Sequence, residues 1–261
     1  MIFRLKKISL ILFFVFTVLS IRAATKDGNR PNFLIIMADD CTYRDIEVYG
    51  GQAMTPNLMQ LAKEGLKFNR CFQATAMCAP TRSNLLTGIY PVRNGAYANH
   101  SQSHKHIKSI VHHMLPEGYM MGLTGKRHIG PESVYPFQYS EKSDDPDLNF
   151  IKDFFKKSKT SGNPFCLFAM CSSPHGPWTK GDTTQYPSNE VVLAPNLINT
   201  KETRNAFSAY LAEISYFDKQ VGQILSLLES SGCSNNTVVI VLGEHGSLFP
   251  FGKWTCYDTG L

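Results

Sequence analysis

Residues 33–38, FLIIMA, form a continuous apolar run of strand length that ends abruptly in two acids, Asp39 and Asp40. Six apolar residues in succession suit a strand covered on both faces, the situation of a buried parallel strand. Residues 120–123, 165–170 and 238–242 are further short apolar runs of the same kind. Between them, residues 55–65 (TPNLMQLAKEG) start on Thr and Pro and close on Gly, as a short helix does, and residues 203–230 place apolar side chains at helical spacing until Gly232 stops them. Apolar strands alternating with amphipathic helices predict an α/β fold with a mostly parallel central sheet flanked by helices. In such sheets ligands gather at the carboxyl ends of the strands, where Asp39–Asp40 and Glu244–His245 both fall, so two distant segments are expected to converge. Residues 135–147 and 180–199, rich in Pro, Asp, Ser and Thr, read as loops. With 261 residues, 43% of them hydrophobic and 18% charged, one large domain with a sizeable core is expected.

The start of the chain follows another pattern. Arg4, Lys6 and Lys7 precede an apolar run at 8–19, interrupted only by Ser9 and Thr17, and Ala23 and Ala24 follow. That is the pattern of a signal peptide over residues 1–23, with Ile21 and Ala23 at the cleavage positions, and it predicts a periplasmic or secreted domain over 24–261. No second apolar stretch approaches membrane length, so no stable membrane span is expected once the leader is removed. The formal charge of +5 loses Arg4, Lys6, Lys7 and Arg22 with the leader and no acid, which leaves a nearly neutral chain without a basic block for nucleic acid. Seven cysteines in an exported chain permit disulfides, yet the odd count leaves one over. Cys166 and Cys171, in an apolar segment, read as small buried residues.

The most specific segment is Cys78-Ala79-Pro80-Thr81-Arg82, continued by SNLLTG. Arg82 lies four residues after Cys78 and so faces the same way on a helix. Lys126 and His128 stand in TGKRHIG, His175 in SSPHGPW, Glu244 and His245 in GEHG, and Lys253 in FGKW. Taken singly, paired acids at a strand end more often begin a turn, and a Lys-x-His pair is usually a surface pair. Three carboxylates together suit a hard cation such as calcium.

In this order the six motifs resemble the sulfatase family, over about residues 31 to 261, and segments such as DDCTYRD and GKRHIGP look like bacterial sulfatases labelled heparan N-sulfatase-like. The resemblance implies an alkaline-phosphatase-like sulfatase domain in which the cysteine, here Cys78, is oxidised to formylglycine by a formylglycine-generating enzyme. A geminal diol can take sulfate on one oxygen and release it by collapse through the other, which a thiol cannot do. It further implies calcium, with magnesium as second candidate, held by Asp39, Asp40, formylglycine 78, Glu244 and His245, the last the weakest member. Glu244 departs from the aspartate commonest at that position. Arg82 would orient the formylglycine, Lys126 and Lys253 would bond the sulfate, His175 would protonate the leaving oxygen, His128 would assist breakdown of the sulfated intermediate, and Asp39 or Asp40 would act as base. Family members are usually nearly twice this length and carry a smaller C-terminal subdomain, so the chain is expected to be the N-terminal part of the catalytic domain.

Two rivals accompany that reading: a phosphohydrolase of the wider superfamily, which would use Ser or Thr as nucleophile, and a noncatalytic glycan-binding relic. The expected substrate is a sulfated glycan, such as ulvan or a glycosaminoglycan, carrying O- or N-sulfate. Arg93, His100, His104 and His106 are candidate contacts, although a His-rich stretch is more often a polar loop. Asn99 and Asn235 stand in glycosylation sequons.

Overall fold

The computed structural model describes residues 30–257, 259 and 260; the expected signal peptide lies outside them. Five strands, β1 (Asn32–Met37), β2 (Met120–Gly125), β3 (Gln138–Tyr139), β4 (Phe165–Met170) and β5 (Thr237–Leu242), pair side by side in the order β3-β2-β4-β1-β5. Every pairing is parallel. The α/β sheet expected from the apolar runs is therefore present, with two refinements. Strand β3 arises inside the segment read as loop, where two residues pair beside Gly122 and Leu123. At the other edge, β5 is covered on one face only, and Val238 and Ile240 remain exposed.

Six helices complete the described fold: α1 (Pro56–Glu64), α2 (Cys78–Thr87), α3 (Pro91–Asn94), α4 (Ile110–Met114), α5 (Leu148–Ser161) and α6 (Lys201–Ser230). Alternating side chains send Leu34, Ile36 and Leu167 to one face of the sheet, where Phe155 of α5 and Ile214, Phe217 and Val221 of α6 cover them. Ile35, Met37, Phe168 and Met170 go to the other face and meet Leu86 of α2, Val111 of α4 and Tyr135. Both faces are dry, which is why the central strands read as unbroken apolar runs. Cys166 and Cys171 are buried as expected, and all seven cysteines are free.

Helix ends show where local chemistry was or was not sufficient. Gly232 adopts φ +71° just beyond α6, the left-handed conformation that ends a helix at little cost to glycine. At α1 the starting Thr55 makes no side-chain cap; the buried Asp218 of α6 instead accepts from the backbone N–H of Asn57 (3.1 Å) and Leu58 (2.9 Å). A carboxylate there satisfies two of the free N–H groups of the first turn and complements the helix dipole. Among the described residues no helix is long and apolar enough to cross a membrane.

Candidate active site

The register of the sheet brings the site together. Met37, at the end of β1, lies opposite Met170 of β4 and Leu242 of β5, and Gly125 of β2 lies opposite Met170. The chain leaves all four strands at one level, so Asp39–Asp40, Lys126, His175 and Glu244–His245 emerge along a single edge. Gly125 is required at its turn: its φ is +82°, and a Cβ would stand 2.0 Å from the Met170 carbonyl oxygen. Lys126 then follows with its N–H on that same carbonyl (2.8 Å).

Cys78 opens α2, and Pro80 costs nothing in that first turn because its missing N–H would have no intrahelical partner. Both Cys78 and Arg82 are buried, one helical turn apart. Arg82 joins three strand ends. Its Nε lies 2.7 Å from Glu244 Oε1, its Nη2 lies 3.5 Å from Asp39 Oδ1, and its Nη1 donates to the Lys126 carbonyl (3.1 Å). The family resemblance gave Arg82 a role toward residue 78; its contacts also tie in the carboxylates and the β2 turn. Lys126 pairs with Asp39. Lys253, nearly buried, sits 2.9 Å from Asp40, and its neighbour Trp254 donates its N–H to Ala76 (2.8 Å) just ahead of α2.

His245 Nε2 reaches Cys78 Sγ (3.3 Å), Asp40 Oδ1 (3.4 Å) and Glu244 Oε2 (3.0 Å). Its other nitrogen, Nδ1, faces the Gly246 carbonyl at 3.2 Å, so the proton of a neutral ring sits there and Nε2 keeps its lone pair toward the centre. His175 is arranged alike, with Nδ1 on the Gly176 carbonyl (2.6 Å) and Nε2 3.5 Å from Asp40. The ten residues singled out in the sequence thus lie around one centre, with His128 at its margin and under the field of Lys126, Arg82 and Glu244. Of the other candidates, His100 lies against His128, His104 and His106 stack on each other, and Arg93 is exposed.

The electrostatics suit a cation among fixed charges. One ligand atom each from Asp39, Asp40, Cys78, Glu244 and His245 lies within 4.8 Å of the others, all five residues being buried. Asp39 Oδ1 and Glu244 Oε1 are buried without a hydrogen bond, although Arg82 is close, because its N–H groups do not point along those lines. Orphaned carboxylate oxygens beside an imidazole nitrogen fit a hard cation, and oxidation of Cys78 to formylglycine would replace the one soft donor by oxygen. With no cation, protons do part of its work. Burial and Glu244 raise the Asp39 carboxyl well above the usual range, while at Glu244 burial is outweighed by Arg82, Asp39 and His245 together, which hold it well below. Burial, the largest single effect, would lower His245, but Glu244 and Cys78 together outweigh it and lift the imidazole to about 9.

One supporting group was not found from the sequence. Glu213, buried in the apolar face of α6, accepts from Ser173 Oγ (3.0 Å) and from the N–H of Lys180 (2.9 Å) and Gly181 (3.1 Å). It ties the loop carrying His175 to the longest helix. A lone acid between Ala212 and Ile214 was the only signal of it in the sequence.

A parallel α/β sheet whose strand ends gather three carboxylates, three basic side chains and a buried thiol defines a class of proteins built to handle an anionic group at a cation site. The sulfatase family model matches residues 31–258, and the chain belongs to that family. An ulvan-active sulfatase of Formosa agariphila is 34% identical over 253 residues, covering 90% of this chain and 48% of that protein. The human N-sulphoglucosamine sulphohydrolase is 28% identical over 269 residues, covering 88% of this chain and 54% of its own. The chain therefore spans about half the length of these relatives. Among solved structures, the phosphonate monoester hydrolase of Agrobacterium radiobacter superposes with a TM-score of 0.70 at 18% identity, over 88% of this chain and 66% of that one. That likeness concerns the fold alone.

Proposed function

We propose that the protein hydrolyses sulfate esters or sulfamates of a sulfated glycan, through a formylglycine made from Cys78 and with calcium as its cation. The observation that carries this reading is the placement of a buried thiol at a helix N-terminus among three carboxylates and the basic groups of Arg82, Lys126 and Lys253. A phosphohydrolase shares the sheet, but its serine or threonine nucleophile has no counterpart at position 78. A binding relic would have no need for every charged position to be filled.

Lys126 and Lys253 bind the sulfate oxygens, and Arg82 keeps the carboxylates ionised and in place. One hydroxyl of the hydrated formylglycine gives its proton to Asp39 or Asp40 and attacks sulfur. The bond from sulfur to the glycan oxygen breaks as His175, in its protonated form, delivers the Nε2 proton to that oxygen while its Nδ1–H stays on the Gly176 carbonyl. The second hydroxyl then loses its proton, the carbonyl re-forms, and the carbon–oxygen bond to sulfate breaks; water restores the diol, so one water is consumed per ester. A bound calcium supplies positive charge that draws out the nucleophile and offsets the charge of the sulfuryl oxygens. Asp39, Asp40, Glu244 and His245 would hold it with residue 78. Maturation requires a separate formylglycine-generating enzyme, and the leader over residues 1–23 directs the protein to the periplasm or beyond.

The relatives' names point to ulvan and N-sulphoglucosamine as starting substrates. Sulfate release from ulvan and glycosaminoglycan oligosaccharides by the matured protein, followed by ion chromatography, is expected with calcium and lost with a chelator. Release of phosphate from phosphate esters with no sulfate from any glycan would select the phosphohydrolase instead. Cation binding itself should displace a proton, because His245 holds one in its absence. Calorimetric calcium affinity is therefore expected to rise with pH up to about 9 and to fall roughly tenfold or more in Asp40→Asn. An affinity unchanged by that substitution would remove Asp40 from the ligands.

A further inference from the structure

His128 lies at the margin of the site, under the field of Lys126, Arg82 and Glu244, and against a second histidine. His128 Nε2 lies 2.8 Å from His100 Nδ1, so one of these nitrogens carries a proton and the other accepts it. The direction is settled further out. The backbone N–H of Ala79, the residue after Cys78, faces Asn99 Oδ1 at 3.4 Å, which fixes the orientation of that amide. Asn99 Nδ2, a donor only, then faces His100 Nε2 at 3.5 Å. His100 must accept at Nε2 and, when neutral, carry its proton on Nδ1, from which it donates to His128 Nε2. The remaining nitrogen of His128, Nδ1, is buried and has no hydrogen-bond partner.

We propose that Asn99 and His100 are positioning residues that fix His128 as its Nδ1–H tautomer, so that His128 meets the reacting group as a hydrogen-bond donor and not as a base. In the opposite tautomer His128 would donate to His100, and the proton of His100 would then face the Asn99 amide hydrogens, donor against donor. Burial first, then Lys126 and His100, also hold the His128 imidazole down to about 4, so at neutral pH it is an uncharged ring with one N–H. A neutral N–H beside Lys126 and Arg82 adds a directed donor for an anionic oxygen where another full positive charge would be costly. On the reading of the site as a sulfuryl-transfer centre, that oxygen belongs to the sulfate leaving formylglycine 78, and the protons lost by the diol go to Asp39 or Asp40. The loop of residues 99–100 is tied by Ala79 to the helix that carries Cys78, so donor and nucleophile are set from one element.

The tautomer can be read without any catalytic assay, which separates this proposal from the sulfatase reading. Long-range proton–nitrogen correlation spectra of the nitrogen-15-labelled protein at neutral pH, with His128 assigned from its substitution by Gln, are expected to show a protonated, pyrrole-type Nδ1 and a pyridine-type Nε2. The isosteric change Asn99→Asp keeps an acceptor toward Ala79 but turns the donor facing His100 into an acceptor. It should move the His100 proton to Nε2 and invert the two nitrogen types of His128. His100→Phe, which removes the relay without adding charge, should leave His128 with averaged signals of both tautomers. A pyrrole-type Nε2 in the unsubstituted protein would overturn the proposal, as would a His128 spectrum unmoved by both substitutions.

Discussion

Replacement of Cys78 by alanine is expected to abolish turnover of p-nitrophenyl sulfate by the matured protein, with kcat lowered on the order of 10⁴-fold or more, the scale of removing a covalent nucleophile. The side chain is fully buried at the first turn of α2, yet its polar neighbours Asp40, His245 and Lys253 keep partners of their own, Asp40 and Lys253 in each other and His245 in Glu244. The loss of one sulfur atom should therefore shift the thermal midpoint by only a few degrees, as for a small volume change in a core. Activity within tenfold of the unsubstituted protein would show that another group attacks sulfur.

Substitution of Arg82 by methionine should damage folding and chemistry together. The guanidinium is wholly buried and is the shared counter-charge of Asp39 and Glu244. Removing one partner of a buried charge pair leaves the others desolvated and uncompensated, which costs about 3–5 kcal/mol. The same loss frees the Lys126 carbonyl and unties β2 from β1 and β5 at the site. Urea unfolding in the presence of a chelator should report that decrease. Added calcium should recover part of it, because a cation among Asp39, Asp40 and Glu244 takes over some of the missing charge. Unchanged stability would mean that these carboxylates are neutral in the folded chain.

The parts legible in the sequence were those whose chemistry is local. Apolar runs such as FLIIMA announce strands buried on both faces, and their abrupt polar ends announce where ligands collect, so Asp39–Asp40 and Glu244–His245 could be placed together before any coordinates. Cys78 and Arg82 share a helix face by spacing alone. What was not legible depends on pairing over long sequence separations. Strand β3 is two residues long and exists because β2 offers it an edge, and α1 is capped by Asp218, 161 positions beyond Asn57. Glu213 carries no motif, and the contacts Ala79–Asn99–His100–His128 link segments that no motif joins; their roles follow from which atoms face each other after folding. The contacts by which Arg82 joins three strand ends were not legible, because those ends come from segments far apart.

The most direct test of the account is the state of residue 78 itself. Peptide mass spectrometry of protein coexpressed with a formylglycine-generating enzyme is expected to show the Cys78 peptide lighter by about 18 mass units, the change from thiol to the aldehyde on which the diol nucleophile depends. A Cys78 peptide that keeps its full thiol mass under those conditions, in protein that nevertheless releases sulfate, would contradict it.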